Sequence, residues 1–348
     1  QARVAGEVPR WSPLPVQYAD YALWQRELLG SEDDPDSLIS RQIDYWTTQL
    51  SGIPAEITLP ADRPRPTAPS RVGGRFEFGL SAETHAMALE VARQSGATVF
   101  MVLQSALALL LSRFGAGEDV PVGTPIAGRS DDAVDDLVGL FINTLVLRTD
   151  LSGDPTFGEL LGRVRETALG AYAHQDLPFE RLVDLINPER SLSRHPLFQV
   201  MLTLNSVGRA DVAGPTEALE VTEQRIDAGA ARHDLSFVLG EQRNASGAPV
   251  GIHAVLDYNT DLFDPASAER LAGSFVGLLD TVLGSPDVPV RRVDVLVGDE
   301  RRRVLEEWND TAVEVPGVSL PVLFEEQVAA VPGAWAVACG EVSLSYGE

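Results

Sequence analysis

Cysteine is almost absent: Cys339 is the single one in 348 residues. One thiol forms no intramolecular disulfide and no cysteine metal cluster, and it fits a reducing, cytoplasmic compartment. Positive charge is scarce as well, with 27 Lys+Arg against 51 Asp+Glu and a formal net charge of -24. A nucleic-acid surface needs a basic face that displaces counterions, and these scattered cations supply none. No run of about 18 apolar residues is read in the chain, so no membrane span is expected. His85, His174, His195, His233 and His253 lack metal-ligand spacing, and no metal is expected. Also missing are a Gly-x-Gly-x-x-Gly after a strand, a phosphate loop and a Gly-x-Ser-x-Gly elbow. Acid pairs such as Asp131-Asp132 and Asp135-Asp136 read as solvated loops. Motif chemistry alone identifies no active site.

What is present is an ordinary globular composition, 44% hydrophobic and 22% charged. Helical spacing predicts helices over 18–29 and 38–50. Four prolines between Pro60 and Pro69 then impose an extended connector. Beyond it a strand is expected over 75–80. A helix capped by Ser81 follows, then one capped by Thr98 that is apolar on nearly all sides. Strands are expected over 120–124, 140–149, 198–205, 218–224, 234–242 and 250–258. Thr156 with Glu159 reads as a capping box for a helix to Ala173, and Asp264-Pro265 opens the helix to Leu283. Strands and helices mix without strict alternation, which favours an α/β sandwich with a mixed sheet. From Trp308 a linker leads to a new helix–strand sequence.

Four segments carry a family resemblance: Tyr18-Ala-Asp-Tyr-Ala-Leu-Trp-Gln-Arg26, Val138-Gly-Leu-Phe-Ile-Asn-Thr-Leu-Val-Leu-Arg148, His174-Gln-Asp-Leu-Pro-Phe-Glu180 and Arg190-Ser-Leu-Ser-Arg-His-Pro-Leu-Phe198. Their type and order resemble the later core motifs of nonribosomal peptide synthetase condensation domains. The resemblance implies a chloramphenicol-acetyltransferase-like two-layer sandwich, here the second lobe of a pseudo-dimer. Residues 1–70 would be the tail of the first lobe and the inter-lobe connector, and 71–308 the C-terminal lobe. The segments Glu307–Thr311, Leu323–Gln327 and Leu344–Glu348 resemble the start of an adenylation domain, placed at 309–348. The implied reaction is amide formation between donor and acceptor thioesters on the phosphopantetheine arms of peptidyl carrier proteins, with no cofactor bound directly. Carrier proteins and the adjacent adenylation domain are the implied partners; neither nucleic acid nor membrane is expected.

The family's His-His-x-x-x-Asp-Gly motif is expected before Tyr18 and does not occur in the chain. The chain therefore reads as cut at its start and inactive alone, since general-base work needs a nitrogen within about 3 Å of the amine. Two other readings stay open. One is an epimerisation domain or carrier-independent acyltransferase of the same fold; the other is a scaffold lobe that docks carrier and adenylation domains.

The resemblance also implies tunnel or inter-lobe roles for particular residues. Tyr18, Asp20, Trp24 and Arg26 lie on a helix that either braces the first lobe or packs amphipathically, with Tyr21 and Trp24 as core anchors. The loop 123–139 would form the tunnel floor, where Arg129 pairs with an Asp or with a phosphopantetheine phosphate. Strand alternation places Phe141 and Asn143 on one face. Asn is a poor strand residue, so Asn143 either satisfies a specific partner or lines the tunnel. Arg148 is expected in an inter-lobe salt bridge. Gln175 and Asp176 join the candidates, with Asp176 as an N-cap, Phe179 buried and His174 structural. Asn205 and Ser206 are candidate acceptor-side contacts. The 234–258 hairpin is expected to latch the tunnel and to leave an unpaired edge.

Overall fold

The computed structural model describes every residue except 1, 4, 5, 10, 130, 189, 190, 192, 206–228, 297, 298, 315 and 316. The chain divides into two compact units, Gln1–Val297 and Gly298–Glu348.

The first unit opens with two helices, α1 (Tyr18–Leu29) and α2 (Leu38–Gln49). Past the prolines come β1 (Gly73–Leu80), α3 (Ala82–Gln94) and α4 (Val99–Leu111), the last running into a π-helical turn over Ser112–Ala116. Next are β2 (Asp119–Ile126), β3 (Asn143–Asp150), α5 (Phe157–Ala173), α6 (Phe179–Ile186) and β4 (Val200–Asn205). The unit closes with β5 (Leu235–Arg243), β6 (Pro249–Asn259) and α7 (Pro265–Gly284). Ser81 accepts from the Thr84 N–H, Thr98 from Met101 and Thr156 from Glu159, so the three expected caps form.

Six strands join in the order β1-β6-β5-β4-β2-β3. The sheet is mixed: β4 runs parallel to β2 and β5, and the other neighbours are antiparallel. Register aligns Phe78 with Ala254, Ala254 with Leu239, Phe237 with Leu202 and Val200 with Val122. These residues form one face and join a single core with α3, α4, α5 and α7. The fold is thus the expected α/β sandwich with a mixed sheet. Helix α4 is buried at every position except Phe100, and its Gln104 donates to the Thr149 hydroxyl at 3.4 Å. By length and composition Val99–Ala116 could cross a membrane, which corrects the reading that no such run exists. Here 72% of that stretch is buried inside the protein. Burying each of its leucines against the sheet stabilises by about 1.5–3 kcal/mol, enough to account for a wholly apolar helix.

On the opposite face, at the β2–β3 end, α2 and the 194–198 segment supply cover. Trp46, Leu50, Leu177, Leu197 and Phe198 form a second core there with β3. Phe198 lies directly over Gly123, where an added Cβ would stand 2.2 Å from its ring. Arg65, in the proline-rich connector, pairs with the buried Asp234 and with Glu56 at 2.7 Å, fastening residues 56–65 to the start of β5.

Several expectations need correction. The strand expected over 140–149 begins only at Asn143, because Leu140 to Ile142 belong to the preceding loop. The 234–258 hairpin is no unpaired edge: β5 and β6 are central, each with neighbours on both sides. The strand expected over 218–224 lies outside the described residues. The second unit holds α8 (Asp299–Leu305), α9 (Leu320–Ala330) and a hairpin of β7 (Trp335–Cys339) with β8 (Val342–Ser345).

Two predictions follow from this packing. Gly123→Ala should push Phe198 from its seat and lower stability by about 1–3 kcal/mol, read as a lower urea midpoint at constant m. His195 and His233, ring centroids 5.1 Å apart, are both driven from the usual 6.5 to about 4, chiefly by burial. The folded state therefore binds fewer protons than the unfolded one between those values, and stability should fall as pH drops through that window. Replacing either histidine by Asn should flatten the pH dependence of Tm there.

Candidate functional site

Three of the four motif segments meet at one groove. Helix α1 offers Tyr21, Trp24 and Leu28, the loop before β3 offers Leu140 to Asn143, and the α5–α6 connection offers Gln175, Asp176 and Pro178. The groove encloses about 410 Å³ and is also lined by Ala127 to Arg129 and by Glu180.

Asn143 sets its back wall. Its Nδ2 donates to the carbonyls of Gln175 at 2.9 Å and Leu177 at 2.8 Å. Its Oδ1 accepts from the N–H groups of Thr144 at 2.9 Å and Phe179 at 3.0 Å. An amide offers two donors and two acceptor lone pairs, and all four are used. Asn143 thus satisfies specific partners and also lines the groove.

The 131–142 loop is held by Arg129. Its guanidinium donates to the carbonyls of Val134, Asp135 at 3.2 Å and Leu137 at 2.8 Å, and its Cζ lies 4.1 Å above the Phe141 ring. The expected pairing with an Asp is therefore corrected: the short turn at Asp132–Val134 leaves carbonyls in need of donors, and Arg129 fills them. Gly128 takes φ +65°, and a Cβ there would fall 1.8 Å from the Phe141 carbonyl oxygen. Only glycine permits that approach.

Phe141 is buried against Tyr21, ring centroids 4.7 Å apart, and meets Tyr18 edge-on at 5.3 Å. The Tyr18 hydroxyl donates to the Leu140 carbonyl at 2.8 Å. Asp20 accepts from the Gln17 N–H, capping α1 rather than facing a ligand. Trp24 is no core anchor; it stands 44% exposed at the groove, and Arg26 points to solvent. Burial raises the Tyr21 phenol, with Tyr18 and the Asp176 charge adding to it.

On the other wall, α2 reaches across. Gln42 is fully buried; its Nε2 donates to Asp176 Oδ2 at 3.2 Å and its Oε1 accepts from the Asp176 N–H at 3.3 Å. The expected capping role of Asp176 is corrected, since Pro178 occupies the N-cap of α6. Burial raises the Asp176 carboxyl above its ordinary value, with the Gln42 hydrogen bond opposing. His174 is structural, stacked on Tyr45 at 3.9 Å with its carbonyl accepting from Trp46 at 2.7 Å. Phe179, expected buried, is half-buried, packed near His195.

Two candidates lie away from the groove. Arg148, expected between lobes, pairs with Asp119 on the adjacent strand at 2.7 Å and donates to the Gln49 and Ser51 carbonyls. It thereby donates to the carbonyl of the last residue of α2 and to one just past it, where a helix end leaves acceptors to fill. Asn205 is exposed at the end of β4, and Ser206 lies outside the described residues. Sequence reasoning missed Gln42, Gly128 and Glu180. Gln42 carried a signal: it falls on the apolar stripe of Ile39, Ile43 and Trp46, where a polar residue needs a buried partner.

The family model described as Condensation domain matches residues 4–305. The dimodular nonribosomal peptide synthase of Bacillus subtilis is 48% identical over 347 residues, covering 100% of this chain and 14% of that protein. The isonitrile lipopeptide synthase of Mycobacterium tuberculosis is 45% identical over 353 residues, with the same two coverages. Among solved structures, the X-domain in the complex of the X-domain and OxyB from teicoplanin biosynthesis superposes with a TM-score of 0.77 at 39% identity. It covers 86% of this chain and 64% of that one. The chain thus spans about a seventh of the length of these two synthases.

Asn143→Asp tests the back wall. A carboxylate cannot donate to Gln175 and Leu177, so a loss of about 2 kcal/mol is expected at pH 7. Acidification should recover part of it, because the protonated carboxyl regains one donor; urea midpoints at pH 7 and pH 5 measure both effects.

Proposed function

The chain belongs to the condensation-domain family of nonribosomal peptide synthetases, and from that premise we propose that its groove forms the acceptor-side wall of the site where an amide bond is made. The acceptor amine attacks the donor acyl or peptidyl thioester, each substrate carried on the phosphopantetheine arm of a carrier protein. The observation that carries this reading is the convergence of three motif segments, around Tyr21, Asn143 and Asp176, on one groove. An aromatic and amide-lined wall of this size suits an aminoacyl group at the end of a pantetheine arm. Residues 1–70 act as the tail and connector of a first lobe, and 71–308 as the second lobe.

Residues 309–348 act as the first part of an adenylation domain. Leu320, Phe324, Trp335 and Val342 stand exposed in the second unit, an apolar surface suited to cover by further chain. With a net charge of -24, general attraction of an acidic carrier is unavailable, so docking relies on local patches.

The 348 residues contain no His-His-x-x-x-Asp-Gly segment, and we assign them no turnover by themselves. A second reading is a lobe that docks partners without catalysis; the docking part of it draws on the 39% identity to the X-domain, which is found in complex with OxyB.

Incubating the chain with donor- and acceptor-loaded carrier proteins should yield no peptide, whereas a longer chain that includes the histidine motif should. Rapid peptide formation by the 348 residues alone would overturn the assignment of inactivity. Carrier binding by the longer chain without any turnover would favour the scaffold.

A further inference from the structure

The groove has an imbalance of charge. Among the described residues two carboxylates, Asp176 and Glu180, line it, and the one lining cation, Arg129, is already held by three carbonyls and the Phe141 ring. The two carboxylates are not equivalent. Glu180 is exposed, so water screens it and it gains little from an ion pair. Asp176 is partly shielded and tied on one side only. Its Oδ2 accepts from Gln42, while among the described residues its Oδ1 accepts no hydrogen bond. A carboxylate withdrawn from water with a free oxygen is stabilised by a cation that arrives from outside. Beside it, the exposed Trp24 and the Tyr21 ring present aromatic surface, which attracts a cation and packs against an apolar chain.

We propose that the groove recognises a primary ammonium, with Asp176 as the positioning residue for the amino group of an aminoacyl guest and Trp24 against the guest's apolar chain. This rests on the acceptor-side reading of the groove and goes beyond it in naming the group that is read and the residue that reads it. Asp176 meets the guest in its charged resting form; the removal of a proton before attack is left to the histidine motif. Gln42 holds Asp176 in place through its reciprocal pair of hydrogen bonds, so that the carboxylate stays aimed as guests come and go.

The test is calorimetric titration of the 348-residue chain with alanyl-pantetheine amide and with its N-acetylated counterpart, which has lost the positive charge. The free amine should bind about tenfold more tightly, the low end for a charge-assisted hydrogen bond. Asp176→Asn keeps an oxygen for Gln42 but removes the charge, and should collapse that difference with Tm little changed. Glu180→Gln should leave the difference in place. Equal binding of the two probes by the wild-type chain would overturn the ammonium inference while leaving the groove as a seat for the arm. A preference that survives Asp176→Asn, or one that vanishes only in Glu180→Gln, would overturn the assignment to Asp176. Absence of binding by both probes would overturn the inference together with the acceptor-side reading.

Discussion

The Asn143 carboxamide joins the edge strand β3 to the α5–α6 connection through three hydrogen bonds, a fourth staying within β3, and the groove depends on it. Without those bonds the carbonyls of Gln175 and Leu177 and the N–H of Phe179 would stay half-buried and unpaired, each at a cost of about 1–3 kcal/mol. The connection cannot drift while the amide is in place. That fixes Asp176 on one wall and leaves Phe141, two residues before Asn143, on the other. A residue with poor strand propensity at the start of a strand is thus retained for its hydrogen-bonding capacity.

The remaining walls are assembled by the same logic of matching donors to loose carbonyls. Arg129 closes the 131–142 loop, Arg148 closes the end of α2, and the Tyr18 hydroxyl ties α1 to Leu140. Each uses a long side chain to satisfy backbone groups that irregular structure cannot pair internally. The aromatic cluster of Tyr18, Tyr21 and Phe141 then fills the space between helix and loop. Arg129, the cation at the groove, is consumed in holding its loop, which leaves Asp176 as the shielded charge that faces the groove.

Much of this was legible before any coordinates. The capping residues Ser81, Thr98 and Thr156 marked three helices correctly, because capping is local chemistry between neighbours. The apolar run of α4 marked the core, and the mixed pattern of strands and helices marked the sandwich. The motif segments pointed to Asn143 and Asp176. What stayed hidden was long-range. Arg129 looked like a partner for an acid, yet its acceptors are carbonyls left over where a turn tightens. Arg148 does pair with an acid, Asp119 on the adjacent strand, and also reaches the Gln49 and Ser51 carbonyls at the end of α2. Trp24 looked like core by composition, but α1 presents only Tyr21 to the interior. Asp176 looked like a cap because an acidic residue shortly before a helix commonly is one, when Pro178 itself holds the cap position of α6.

The central claim is that the segments around Tyr21, Asn143 and Asp176 form a wall that meets the acceptor substrate. Photocrosslinking tests it most directly: a carrier protein bearing a non-hydrolysable aminoacyl-pantetheine arm with a diazirine at the amino-acid side chain, irradiated with this chain and mapped by mass spectrometry. The account predicts labelling within α1, residues 140–143 and residues 175–180. Reproducible labelling confined to other parts of the chain, with these three segments untouched, would contradict it.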